Sequence, residues 1–384
     1  MPLTMPPSPT AQTAIPCMLM RGGTSKGAYF IDRDLPDDVA TRDRVLLATL
    51  GSPDRRQIDG IGGADPLTSK VAIVNRSQRP GIDVDFLFAQ VSLDEDRVDT
   101  TPNCGNILAG VGPFALERGL IAAQDGHTRI RIYTVNTGMV SEVLIETPGG
   151  LVNYGGSARI DGVPGTAAPI PIDFLDVAGS VCGSLLPTGN IADVIDGVRV
   201  TCIDNGMPVV IMRADALGIT GYESREALNA NAALKDRVEQ IRLRAGHMMN
   251  LGDVTNKVVP KMSLVAPPRA GGALCSRTFI PHDCHAAVGV LGAVTLATAA
   301  VMRGSVAHEV AQVPGGNPKR ISVEHPTGEF TVELETEETP SGIVIHRAAL
   351  LRTARMLMRG EVLIPSNVWS GHASNEGMNG SNHG

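Results

Sequence analysis

The sequence predicts an α+β protein of two similar halves, each a curved mixed β-sheet around one central helix. Three observations carry this. The chain has 384 residues, 43% of them hydrophobic, which is enough for two ordinary cores. A strand, polar turn and strand over residues 17–30 are echoed over residues 198–212. An apolar helix that opens after Pro102 and closes at Arg118-Gly119 is echoed by one that opens at Pro281 and closes at Arg303-Gly304.

Composition narrows the function classes. Aromatics are only 3%, against 43 glycines and 26 prolines, which suits tight turns and small-residue packing rather than a surface that stacks bases. With a net charge of −7 and no basic block, a nucleic-acid partner is not expected. The cysteines, at 17, 104, 182, 202, 275 and 284, form no CxxC pair. That excludes a zinc ribbon or disulfide framework and fits a reducing compartment, the cytoplasm. Residues 1–14 lack the charged and apolar regions of a signal peptide and read as a loose tail. The most apolar segment, residues 286–302, is diluted by Gly, Ala and Thr, so no membrane span is expected. The expected domains are 15–185 and 186–368, with a Ser/Asn/Gly tail at 369–384. A homo-oligomer remains open.

Residues 15–20 read as a strand, Arg21-Gly22-Gly23-Thr24-Ser25-Lys26-Gly27 as a turn, and residues 28–31 as the returning strand. Residues 37–50 place Val39, Val45, Leu46 and Leu50 on one helical face. A glycine-rich loop over residues 59–69 then closes on Lys70 and the strand 71–74. Strands are expected at 83–91, 94–99, 128–134 and 142–147, and a Gly/Pro-rich run fills 149–171. In the second half, strands at 198–203 and 209–212 precede a charged surface helix over 224–246. Residues 321–335 alternate as strand, residues 348–360 read as a last basic helix, and 362–365 as a final strand.

The chemistry concentrates around TPNCGN, residues 101–106, where a turn becomes a helix. Cys104 sits at the helix's positive end, where free N–H groups stabilise anions and favour the thiolate. A small buried hydrophobe is the competing reading for any intracellular cysteine. Arg21, Lys26, Lys70 and Arg277 are the cations available to line a cleft at such a helix end. Lys70 follows a loop that glycine backbone shapes and precedes a core strand, so its amine is expected to be partly desolvated, which favours the neutral, basic form. A lysine and a cysteine together can take a proton from a carbon beside a carbonyl and return it elsewhere. Neither a metal nor a nucleotide is required if N–H groups and cations hold the resulting dienolate. Gly60-Ile61-Gly62-Gly63 lacks the third glycine of a dinucleotide loop, and Gly22-Gly23-Thr24-Ser25-Lys26-Gly27 lacks the spacing of a nucleotide loop. His282-Asp283-Cys284-His285 packs its ligand types too tightly for one ion, which leaves His282 and His285 as substrate contacts or caps at the second helix end.

Cys17-Met18-Leu19-Met20-Arg21-Gly22-Gly23-Thr24-Ser25-Lys26-Gly27, Asp59-Gly60-Ile61-Gly62-Gly63-Ala64-Asp65 with Thr68-Ser69-Lys70, and Asn103-Cys104-Gly105-Asn106 resemble the methylaconitate isomerase and 4-oxalomesaconate tautomerase family. The resemblance runs over residues 16–365 and includes Arg352-Thr353-Ala354-Arg355. It implies the diaminopimelate epimerase fold and a cofactor-independent shift of a proton or double bond in a small unsaturated di- or tricarboxylate. It places the family's lysine on Lys70 and its cysteine on Cys104, the pair reached from the residues. Arg21, Thr24, Ser25, Lys26, Asn103, Gly105 and Asn106 would then hold carboxylates. Diaminopimelate epimerases face their substrate with two cysteines from opposite halves, whereas here the second opening carries His282-Asp283-Cys284-His285, which argues against amino-acid racemisation. The blocks at 18–30 and 59–74 look most like enzymes that act on 4-oxalomesaconate in bacterial breakdown of gallate and related aromatics. A methylaconitate or aconitate isomerase and a non-catalytic tricarboxylate-binding protein stand as alternatives.

Overall fold

The computed structural model describes residues 12–101, 103–175, 178–280, 282–339 and 342–372. The described chain falls into two compact units. The described residues of Met1–Met139, Ile145–Gly156 and Thr353–Gly384 form the first, and those of Val140–Leu144 and Ser157–Arg352 form the second.

The first unit begins with β1 (Gln12–Gly22), β2 (Ser25–Ile31), α1 (Val39–Leu50), β3 (Lys70–Arg76) and β4 (Val84–Val91). It continues with β5 (Val98–Asp99), α2 (Gly105–Glu117), β6 (Gly126–Thr134) and β7 (Met139–Thr147), the last of which runs into residues of the second unit. β1 and β2 form an antiparallel hairpin, β2 and β3 run parallel across the α1 crossover, and β3 and β4 are antiparallel. β4 and β6 are parallel across the α2 crossover. Helix α1 starts where the Asp38 carboxylate accepts the Thr41 N–H at 2.8 Å, and it stops at Gly51, whose φ of 79° suits glycine. Strand alternation sorts the sheet into two faces. Ala28, Phe30, Val71, Ile73, Ala89 and Val91 pack with Val45, Leu46 and Leu50 of α1. Tyr29 projects from the other face to α2, where its hydroxyl donates to the Ile107 carbonyl at 2.6 Å and its ring lies 5.7 Å from that of Phe114. Helix α2 is buried continuously from Ile107 to Ala115, so it is a core helix rather than an amphipathic one.

The second unit repeats the pattern. It contains β8 (Ile170–Phe174), β9 (Asp193–Ile195), β10 (Val198–Asp204), β11 (Pro208–Arg213), α3 (Arg225–Ala230), α4 (Ala232–Met248) and β12 (Lys261–Ala266). Next come β13 (Leu274–Ile280), β14 (Asp283–Cys284), α5 (Val290–Val301), β15 (Lys319–His325), β16 (Gly328–Thr339) and β17 (Gly342–Arg352). β10 and β11 are antiparallel, β11 and β12 parallel, β12 and β13 antiparallel, and β13 and β15 parallel. This is the order of pairings seen for β1, β2, β3, β4 and β6, so the two-half α+β architecture holds. Val210, Met212, Met262, Leu264 and Phe279 pack with Leu234, Val238 and Ile241 of α4. On the β10–β11 turn, Thr295 of α5 donates to the Asn205 and Met207 carbonyls at 3.1 Å.

Four local expectations change. Residues 348–360, expected as a helix, lie in β17 and in β18 (Ala354–Pro365). Their Leu, Ala, Met and Arg residues have helical propensity, but β17 pairs with β16 and β8, and β18 pairs with β1 along its length. Ladder hydrogen bonds and burial override that propensity. Helix α5 opens at Val290 with Gly289 as its cap, not at residues 281–285. His282 and His285 instead flank the two-residue strand β14, which pairs with β13. The strand expected at 94–99 shortens to β5, and Gln12–Ala14, expected in the loose tail, already belong to β1. The expected C-terminal tail from residue 373 lies outside the described residues.

The seat of α2 on the hairpin is testable. A Cβ on Gly22 would lie 2.3 Å from the Asn106 carbonyl oxygen, with backbone on both sides. Gly22→Ala should therefore lower unfolding stability by ~1–3 kcal/mol, read from the denaturant midpoint. An unchanged midpoint would show that the helix does not rest on this glycine.

Candidate active site

Within the first unit, the first turn of α2 lies on the tip of the β1–β2 hairpin. Cys104 is its N-cap, held extended at φ −143° and ψ 99°, and its side chain makes no capping bond. The thiol is thus uncommitted, and the first-turn N–H groups keep their capacity for an anion. Two glycines make this approach possible. Besides the contact at Gly22, a Cβ on Gly23, where φ is 51°, would fall 2.1 Å from the Asn106 Oδ1. The Asn106 amide donates to the Thr24 hydroxyl at 3.0 Å. Beside them Ser25 is 1% exposed, and among the described residues neither its hydroxyl nor the Asn106 Oδ1 has a hydrogen-bond partner. Buried polar atoms left unmatched cost free energy unless something polar comes to meet them.

Lys70 opens β3 opposite Gly27 of β2 and Gln90 of β4. Residues paired in a ladder project to the same face, so Lys70 lies on the α2 side of the sheet with Ser25, Gly27 and Tyr29. Gly27 lets the layers close, since a Cβ there would lie 2.4 Å from the Lys70 carbonyl oxygen and 3.3 Å from Ile107 Cδ1 of α2. The Lys70 side chain is buried, only 8% exposed. Its Nζ donates to Gln90 Oε1 at 2.5 Å and sits 5.1 Å from the centroid of the Phe88 ring. The buried Lys70 side chain thus lies on the face that carries the cysteine's helix.

The other candidates separate. Arg21 braces the hairpin: its Nη1 donates to the Gly23 carbonyl at 2.8 Å and to the Thr353 carbonyl and hydroxyl at 3.1 and 3.0 Å. Burial, and then Arg355, lower its pKa from the usual guanidinium value. Lys26 alternates to the opposite face, and a Cβ on Gly63 would lie 3.2 Å from its Nζ. Asn103 is exposed, with its amide 3.9 Å from the Met139 Sδ, and Gly105 begins α2. In the second unit, exposed His282 has its Nδ1 3.7 Å from a Glu239 oxygen, and His285 Nδ1 accepts the Ala287 N–H at 2.9 Å. Arg277 is spent on the Glu223 and Ser276 carbonyls, each at 2.9 Å. Among the described residues, no group of three or more His, Cys, Asp or Glu side chains is placed to share a metal ion.

Three residues of this region escaped the sequence reading. Gln57 organises the glycine-rich loop, accepting the Ala64 N–H at 2.9 Å and the Ser69 hydroxyl at 2.7 Å. Gln90 holds the lysine. Tyr29 ties β2 to α2, and burial first, then the nearby Cys104, hold its phenol well above its usual pKa. The available signal for Gln90 is a lone amide ending the apolar run Phe86-Leu87-Phe88-Ala89.

Comparison with known proteins adds to this geometry. The family described as PrpF protein matches residues 12–365. The (4E)-oxalomesaconate Delta-isomerase of Novosphingobium sp. (strain KA1) is 61% identical over 360 residues, covering 94% of this chain and all of the relative (100%). The 4-oxalomesaconate tautomerase of Pseudomonas putida is 59% identical over 360 residues, covering 94% and 99%. A crystal structure of methylitaconate-delta-isomerase superposes with a TM-score of 0.81 at 35% identity, covering 93% of this chain and 97% of that one.

The cysteines supply a direct probe of the site. Cys104 is half-buried, while the other five are buried. Burial pushes the thiols of Cys17 and Cys284 up to about 11 and those of Cys182 and Cys202 up to about 12. A disulfide reagent at pH ~8 should therefore modify the native protein first at the half-buried Cys104, and Cys104→Ser should remove that fast phase. A fast phase that survives the substitution would show the thiol to be shielded.

Proposed function

The chain belongs to the PrpF protein family, and on that premise we propose that it is an isomerase that shifts a proton within 4-oxalomesaconate, with Lys70 and Cys104 as the acid–base pair. The carrying observation is the 61% and 59% identity, over nearly the full chain, to two relatives named for that substrate. The geometry supports it independently. A buried amine and an uncapped thiol at a helix N-terminus occupy the same face of one sheet, beside buried polar atoms without partners.

In the proposed reaction the Lys70 amine takes a proton from the carbon activated by the oxo and carboxylate groups. The electron pair of that C–H bond spreads into a dienolate. The α2 N–H groups, which face developing negative charge, stabilise it. Cys104 returns a proton to the conjugate carbon, and the lysine's proton resets the pair, so the product is an isomer. Return to carbon moves the double bond and return to oxygen gives the enol, so the names Delta-isomerase and tautomerase differ by one step. Thr24, Ser25, Gly105 and Asn106 hold carboxylates in this reading. The weaker likeness to methylitaconate-delta-isomerase supports a second reading with a smaller unsaturated dicarboxylate, which a substrate panel separates. The cytoplasm is the proposed compartment, since all six cysteines are unpaired.

Lys70→Met and Cys104→Ser should each lower kcat on 4-oxalomesaconate by ~100-fold or more while melting stays near wild type. Turnover near the wild-type rate in both would sink the assignment. Proton NMR in deuterated water locates the label, at the conjugate carbon for a double-bond shift.

A further inference from the structure

We propose that Gln90 is a positioning residue that fixes the Lys70 amine for proton transfer and couples it to the glycine-rich loop over residues 59–69. This rests on the reading of Lys70 as the group that moves the proton.

The orientation of the Gln90 amide is determined by its surroundings. Its Nε2 donates to the Ser69 carbonyl at 3.0 Å and the Pro66 carbonyl at 3.1 Å, and its Oε1 accepts from Lys70 Nζ at 2.5 Å. A flipped amide would set its oxygen against the Ser69 and Pro66 carbonyl oxygens, which removes both of those bonds. One lysine N–H is thereby committed to Gln90, so the lone pair that would take a proton must point in another direction. Phe88 walls a second side, 5.1 Å from the Nζ to its centroid. The amide therefore selects an orientation of the amine and not only its location.

The second unit contains the corresponding arrangement without the amide. Lys261 opens β12 opposite Val209 as Lys70 opens β3 opposite Gly27. Continuing the β12–β13 register by one pair from Met262–Phe279 sets Ile280, not a glutamine, across from Lys261. Burial, and then Arg242, push the Lys261 amine down to about 8. The repeat therefore supplies a lysine at this position in both halves, and the polar anchor is added in the half that carries the cysteine.

Gln90 also spans the end of the loop, because it binds the carbonyls of Pro66, four residues before Lys70, and of Ser69, immediately before it. The same segment carries Asp65, whose carbonyl accepts the Ser69 hydroxyl at 2.8 Å. A displacement of the loop is therefore transmitted to the amide and on to the amine.

The test is the pH profile of kcat/KM, with the labelling of Lys70 by an amine-directed reagent as a readout independent of turnover. Gln90→Glu places a carboxylate against the amine, favours the ammonium, and should move both the acid limb and the labelling profile at least about one pH unit higher. Gln90→Leu removes the acceptor, should move the labelling profile lower, and should reduce kcat ~10-fold or more as the orientation is lost. Folded variants whose limb and labelling profile coincide with wild type would reduce Gln90 to a tie for the loop and overturn the proposal. If Lys70→Met stays active, the parent reading falls instead. Should neither Gln90 variant fold, the wild-type protein still decides through nitrogen-15 lysine NMR. A Lys70 amine with slow hydrogen exchange supports the anchor, and one that exchanges like surface lysines overturns it.

Discussion

The seating of the first turn of α2 on Gly22 and Gly23 is the contact on which the rest depends. It brings a helix terminus, with its unpaired N–H groups and partial positive charge, within van der Waals reach of a hairpin backbone. Side chains at either glycine would hold the two apart. Because they are absent, Asn106 reaches Thr24, Ser25 is enclosed, and Cys104 is presented at the lip of the helix instead of being buried in it. Placing Lys70 on the same face is then a matter of β-sheet register alone.

The division of labour among the charged groups follows from that register. Lys26 and Lys70 look alike in the sequence as two lysines at glycine-rich loops. Alternation along β2 sends Lys26 to the face opposite Ser25 and Gly27, whereas pairing with Gly27 keeps Lys70 on the α2 face. Arg21 is occupied with Gly23 and Thr353 and shapes the turn mechanically. An isolated lysine or arginine next to glycines is thus weak evidence of contact with a ligand, and the strand partner decides.

Much of this was legible beforehand, for physical reasons. The glycine turns and the continuous apolar stretch of α2 are local signals that the observed elements follow. The repeated hairpin was legible because both copies alternate in the same way across a short polar turn. What escaped detection was long-range. The segment around Ala348 and Met358 has helix-forming residues, and only its partners on β16, β8 and β1 make it strand. The opening of α5 was set too early because Pro281 is a good start signal, while the residues after it are taken by pairing with β13. Gln57 and Gln90 act through contacts with residues 12 and 20 positions away, which a local pattern does not reveal even where, as at Gln90, an amide breaks an apolar run.

The pairing of β18 with β1 bears on how the chain is made. Gln12 pairs with Pro365, so β1 finds this neighbour only after nearly all of the described chain has been made. Until that neighbour is synthesised, β1 has one bare edge with open N–H and C=O groups, the kind of edge that recruits foreign strands. A product that stops short of Ala354 would contain the lysine, the cysteine and the hairpin and still present that edge to other chains. Closing the β1–β18 ladder therefore removes an edge open to aggregation as well as completing the fold.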